Sequence, residues 1–134
     1  MTGIIIVSHG NIASDLMEVS ERILGKQENI SAVSIQVGES DKVLYEKLEN
    51  LVNLMKADDI MILSDILGGS ITNTCLYFAK MRGHISVITG FNLPMIIKVL
   101  TYRDKVNLEE LACLACESGR NGIVDACKTY DEKG

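Results

Sequence analysis

Four short apolar runs, at residues 3–7, 30–37, 60–63 and 85–89, are rich in Ile and Val and alternate with longer stretches whose apolar residues recur every three to four positions. Short β-branched runs read as buried strands, and the longer period reads as helices with one apolar face. Residues 12–24 carry Ile12, Leu16, Val19 and Ile23 at helical spacing, with Gly25 placed to stop the helix. After Ser40 or Asp41, either able to cap a helix start, Leu44, Leu48, Leu51, Val52 and Met55 repeat the pattern. Lys42, Glu46, Lys47 and Glu49 supply its polar face. Pro94 fits the first turn of a further helix reaching about Thr101, where a missing N–H costs nothing. A last helix spans residues 107–119. The turn pair Asn121-Gly122 then leads into Ile123 and Val124, which read as a brief terminal strand.

Strands that alternate with helices imply a parallel sheet covered on both faces. The expected architecture is α/β: a three-layer sandwich around a flavodoxin-like, doubly wound, mainly parallel sheet of order 2-1-3-4, with a short C-terminal antiparallel strand. No repeat, low-complexity tract or linker divides residues 1–134, so a single domain is expected.

A hydrophobic content of 47% lets a chain of 134 residues bury a core without cross-links. The formal charge of -5, with both signs interspersed, argues against a nucleic-acid surface and favours partners with basic docking surfaces. No apolar run approaches the roughly 18–20 residues that span a bilayer, and the N-terminus enters a strand without a signal-peptide pattern, so a cytoplasmic protein is expected. Cys75, Cys113, Cys116 and Cys127 lie in apolar or helix-like surroundings and read as small core residues. Cys113 and Cys116 have C-x-x-C spacing, but no second pair or nearby histidine completes a site. Neither a metal nor a cofactor is expected.

In open α/β sheets ligands bind beyond the carboxyl ends of the strands, where the strand order reverses. Two of the loops there are unusual. The first strand ends in His9-Gly10, and the third ends in "SDILGGSITN", residues 64–73. If strands one and three are neighbours, His9 and Asp65 come together. A carboxylate on imidazole Nδ1–H fixes the tautomer, leaves the Nε2 lone pair free, and balances the charge that develops when Nε2 attacks. Gly68, Gly69 and Ser70 open the next helix, where backbone N–H groups and the Ser70 hydroxyl can hold a phosphoryl group. The loop lacks the lysine of a nucleotide phosphate loop, so the phosphoryl group should arrive from another protein. His84, at the start of its strand, belongs to the opposite edge and reads as a solvent or structural group.

Four stretches in order, "IIIVSHGNIASDLMEVSERILG", "SDILGGSITN", "ITGFNLPMIIKVL" and "ACESGRNGI", resemble the mannose-type enzyme IIA domain of the bacterial phosphoenolpyruvate-dependent sugar phosphotransferase system. The resemblance implies that His9 matches the histidine phosphorylated at Nε2 by the phosphocarrier protein HPr, that Asp65 matches its hydrogen-bonding carboxylate, and that Ser70 matches the hydroxyl near the phosphoryl oxygens. It further implies transfer onward to a IIB component, which serves the membrane components IIC and IID, and a homodimer in which a C-terminal strand is exchanged. The family often has Pro where this chain has Ile71, and a bulky residue such as Trp where it has Ile66 or Leu67. The chain reads as a free-standing IIA unit without a fused IIB domain.

Three other readings exist. The phosphoryl-donor subunit of the dihydroxyacetone kinase system also uses a strand-end histidine, but the "GGSITN" loop favours the sugar-transport reading. A flavodoxin-like flavin or nucleotide binder would want more aromatic residues than no Trp, two Phe and four Tyr. An acyl hydrolase built on Ser8 and His9 fails because adjacent strand residues point to opposite faces.

Overall fold

The computed structural model describes residues 1–66 and 68–133. Its elements are β1 (Gly3–His9), α1 (Ile12–Leu24), β2 (Ile30–Ile35), α2 (Asp41–Leu54), β3 (Ile60–Ser64), α3 (Gly69–Arg82), β4 (Ile85–Thr89), α4 (Leu93–Tyr102), α5 (Leu108–Asn121) and α6 (Ala126–Lys133). The four strands form one sheet in the order β2-β1-β3-β4, every pairing parallel.

Alternation along the central strand divides the core. In β1, Ile4 and Ile6 face one layer with Met61 and Leu63 of β3, against Met95, Ile96 and Val99 of α4 and Leu111 and Ala115 of α5. Ile5 and Val7 face the other layer with Ile60 and Ile62, against Leu44 and Leu48 of α2 and Cys75 and Phe78 of α3. Ile4, Ile5, Ile6 and Val7 are all fully buried. A side chain of this kind contributes about 1.5–3 kcal/mol on full burial, so β1 anchors both layers. A central strand buried on both faces reads as a continuous apolar run, which is what residues 4–7 are.

The helix ends follow the expected capping chemistry. The Ser40 hydroxyl accepts from the Val43 N–H, Asn92 from Met95 and Asn107 from Glu110. Pro94 sits in the first turn of α4. β2 is shorter than expected and stops at Ile35. The Gln36 N–H turns to the Glu39 side chain at 2.8 Å and Gly38 takes a left-handed φ of 90°, which carries Val37 out into solvent. At the other end, α5 runs through Gly119 to Asn121. Gly119 is a packing residue there, since a Cβ would lie 2.8 Å from Met95 Cε.

The expected C-terminal strand does not form in the single chain. Ile123 and Val124 pair with no strand, and Ala126–Lys133 is helical. Two β-branched residues are too few to hold an edge without a partner, and the Asp125 carboxylate accepts from the Lys128 N–H at 3.1 Å, starting a helix instead. The cysteines also divide. Cys75 is a core residue, whereas Cys113 and Cys127 are exposed and Cys116 is half-buried, so the reading of all four as core holds for one.

Candidate functional site

The register Val7↔Ser64 between β1 and β3 brings the next residues of both strands out together at the carboxyl edge. Ser8 and His9 leave β1 on opposite faces. The fully buried Ser8 hydroxyl accepts from the Ala13 N–H at 2.8 Å, satisfying a donor in the first turn of α1 that Asn11, at the cap position, leaves without a side-chain partner. Gly10, at φ 57°, supplies the left-handed turn between strand and helix, and its N–H still bonds Ile35. His9 is thereby projected from a turn fixed on both sides.

Its partner is Asp65. One carboxylate oxygen, Oδ2, accepts from the His9 backbone N–H at 2.9 Å and from Nδ1 at 2.8 Å. A carboxylate cannot donate, so the ring proton lies on Nδ1 and the lone pair of neutral His9 lies on Nε2. The imidazole is 65% exposed and the carboxylate 14%. An imidazole open to solvent therefore rests on a largely enclosed acid. Burial pushes the Asp65 carboxyl up, but the His9 backbone N–H, the ring hydrogen bond and the ring's charge together outweigh it and hold Asp65 below the usual carboxylate range. Asp65 stays ionised. Beneath it, burial first and the Asp65 charge second push the Cys75 thiol up to about 12, so this cysteine is inert.

The third part is the start of α3. Gly68 and Gly69 have φ of 88° and 76°, and a Cβ at either would meet open space, so backbone conformation rather than crowding selects glycine. Ser70 is exposed at the second position of α3, and its hydroxyl makes no hydrogen bond among the described residues. The first turn holds no acidic residue, while the last carries Lys80 and Arg82. Among the described residues, the positive end of the helix dipole thus meets neither a side-chain cap nor an acidic side chain in its own first turn. Ile71 is buried in the layer with Phe78. Leu67 lies outside the described residues.

Three residues of the site escaped the sequence reading. Ser8 was legible as a polar residue interrupting an apolar run, five positions before Ala13. Ser64 and Thr72 were not, because their contact crosses from strand to helix. The Thr72 hydroxyl donates to the Ile66 carbonyl at 2.6 Å and lies 3.3 Å from Ser64 Oγ, both side chains being buried.

Comparison with known proteins places the chain. A family model, EIIA-man, described as "PTS system fructose IIA component", matches residues 3–115. The chain is 35% identical over 122 residues to the PTS system mannose-specific EIIAB component of Escherichia coli strain K12, covering 90% of this chain and 38% of that protein. It thus spans about two fifths of the length of that relative. It is 31% identical over 112 residues to the PTS system fructose-specific EIIA component of Bacillus subtilis, covering 83% and 77% of the two chains. Among solved structures, phosphotransferase system component EIIA from Streptococcus agalactiae superposes with a TM-score of 0.88 at 29% identity, over 96% of this chain and 99% of that one.

Proposed function

The chain belongs to the EIIA-man family of phosphotransferase-system IIA components, and from that premise we propose that it is a phosphoryl carrier whose acceptor is Nε2 of His9. The observation that carries this reading is the exposed ring held through Nδ1 by a shielded, ionised Asp65. Nε2 attacks the phosphorus of phospho-HPr; the new N–P bond forms as the donor's bond to phosphorus breaks, and that bonding pair stays with the donor. The phosphorylated ring keeps its Nδ1 proton and becomes cationic, and Asp65 balances that charge. Gly68, Gly69 and Ser70 hold the phosphoryl oxygens. Transfer to a IIB component reverses these steps, and the membrane components IIC and IID use the product. The work is cytoplasmic, and no helix among the described residues is long and apolar enough to cross a membrane.

Ile12, the first residue of α1, and Val37 and Ile66, just beyond β2 and β3, are exposed where the chain leaves the three strands. Apolar side chains around the histidine suit docking of a protein better than a free sugar. The second assembly is a homodimer in which residues 123–124 join the sheet of the partner. Ile123 and Val124 are exposed in the single chain, and among the described residues no strand pairs with the outer edge of β4.

Incubation with enzyme I, HPr and phosphoenolpyruvate, followed by intact mass, tests the function. One phosphoryl group, acid-labile and base-stable, is expected on His9; its absence, or its location on His84, refutes the assignment. Sedimentation of the full chain against a variant ending at Arg120 tests the dimer. A full-length monomer at high concentration would refute strand exchange and leave the His9 chemistry intact.

A further inference from the structure

We propose that Thr72 is a positioning residue for the phosphoryl-transfer site, a reading that rests on the roles of His9 and Asp65 given above. Thr72 is the fourth residue of α3 and is 1% exposed. A threonine inside a helix ordinarily folds its hydroxyl back on the carbonyl four residues earlier. This one reaches six residues back, to the Ile66 carbonyl at 2.6 Å, outside the helix.

The directions of the two contacts follow from the supply of protons. Thr72 has one hydroxyl hydrogen, and it is committed to Ile66, so across the 3.3 Å contact Ser64 must donate and Thr72 Oγ1 must accept. Ser64 and Ile66 are the two neighbours of Asp65. Ser64 is already fixed by its place in β3 and by its carbonyl, which accepts from the Phe91 N–H at 3.3 Å. The loop leaving the strand is fixed by Thr72. The carboxylate that orients His9 is thus bracketed by one side chain, and that side chain grows from the helix whose first turn faces the phosphoryl group. Thr72 joins acid and anion cradle into one rigid unit, so that a single oxygen of Asp65 reaches both His9 donors within 2.8–2.9 Å.

Replacement by a residue of the same shape isolates the hydroxyl. In Thr72→Val the Ile66 carbonyl and the Ser64 hydroxyl lose their buried partner, and Asp65 gains freedom to leave the ring. Nitrogen NMR of the His9 imidazole reads this directly and needs no partner protein. The neutral ring should be almost wholly Nδ1-protonated in the wild type, and a mixture of tautomers in Thr72→Val. Single-turnover transfer from phospho-HPr should slow by about tenfold, as a displaced orienting group permits, with the affinity for HPr unchanged. Thr72→Ser should restore both. A wild-type tautomer population in Thr72→Val, or a loss of rate that Thr72→Ser fails to restore, overturns the proposal. Should Thr72→Val not fold, Ser64→Ala must show the same tautomer shift in smaller degree, and wild-type values there also overturn it. If instead the wild-type chain takes no phosphoryl group from HPr, the functional reading fails while the tautomer experiment still judges Thr72.

Discussion

The chain has two histidines, and each stands beside an aspartate next to β3. His9 leaves the carboxyl end of β1 and meets Asp65 just beyond β3; His84 precedes β4 and lies 3.6 Å from Asp59, just before β3. Composition alone would not separate them. The first pair is hydrogen-bonded at 2.8 Å with an acid 14% exposed, and the second is a looser contact with an acid 39% exposed. An acid open to water is screened and gives little orientation, whereas a shielded one fixes both the tautomer and the charge. The ends of the sheet differ as well. Beyond the carboxyl ends stands the first turn of α3, which has no acidic residue and no side-chain cap, and among the described residues no helix before the amino ends begins in that way. The polarity of the sheet thus sets a helix N-terminus beyond the first pair, and it is this difference that the proposed function draws on.

The largest effects should separate the two pairs outright. His9→Ala should abolish phosphorylation by phospho-HPr, and His84→Ala should leave its rate unchanged. Equal labelling in both variants would erase the distinction. Next, Asp65→Asn should fold but transfer slowly, because an amide can hold the ring yet cannot balance its cation. Loss of a charge-assisted hydrogen bond costs about 1.5–3 kcal/mol, or about ten- to a hundredfold in rate. Asp59→Asn should match the wild type in the same stopped-flow assay.

Much of this contrast was legible before any coordinates. The buried run ending in His9-Gly10 and the glycine pair follow from local pattern, which also placed His84 at the far edge, whereas the adjacency of strands one and three came only as a condition set by the flavodoxin-like order. What stayed hidden depended on contacts between distant segments. Thr72 looks like any helix residue until Ile66 is seen beneath it, and the early end of β2 depends on Glu39 reaching back to Gln36. Ile123 and Val124 pose the opposite case. Their β-branching is real, but a strand needs an edge to join, and the single chain offers them none that they take.

Acid should weaken the first pair selectively. Asp65 is held below the usual carboxylate range, so its bond to His9 stabilises the fold fully above about pH 4, the unfolded carboxylate's value, and that contribution is lost as pH falls through the lower folded value. The difference in melting temperature between wild type and Asp65→Asn should therefore shrink as pH falls below about 4. A gap that persists unchanged at pH 3 would mean that the aspartate acts through packing rather than charge.

The smallest effect belongs to Ser70. Its exposed hydroxyl adds one donor to a cradle whose backbone N–H groups remain, so Ser70→Ala should slow transfer by only a few-fold, in keeping with about 0.5–1 kcal/mol for one hydrogen bond. A loss that small can be mistaken for a general disturbance of the helix, and Ser70→Asp separates the two. An acid in the first turn complements the helix dipole and should leave the fold as stable or raise its stability by about 0.3–1 kcal/mol. The same charge repels an incoming phosphoryl group, so transfer should fall further than in Ser70→Ala. Stability and rate then move in opposite directions, which a purely structural Ser70 cannot produce. Rates of Ser70→Asp equal to those of Ser70→Ala would show that the first turn of α3 does not face the phosphoryl group, and the difference between the two ends of the sheet would rest on His9 and Asp65 alone.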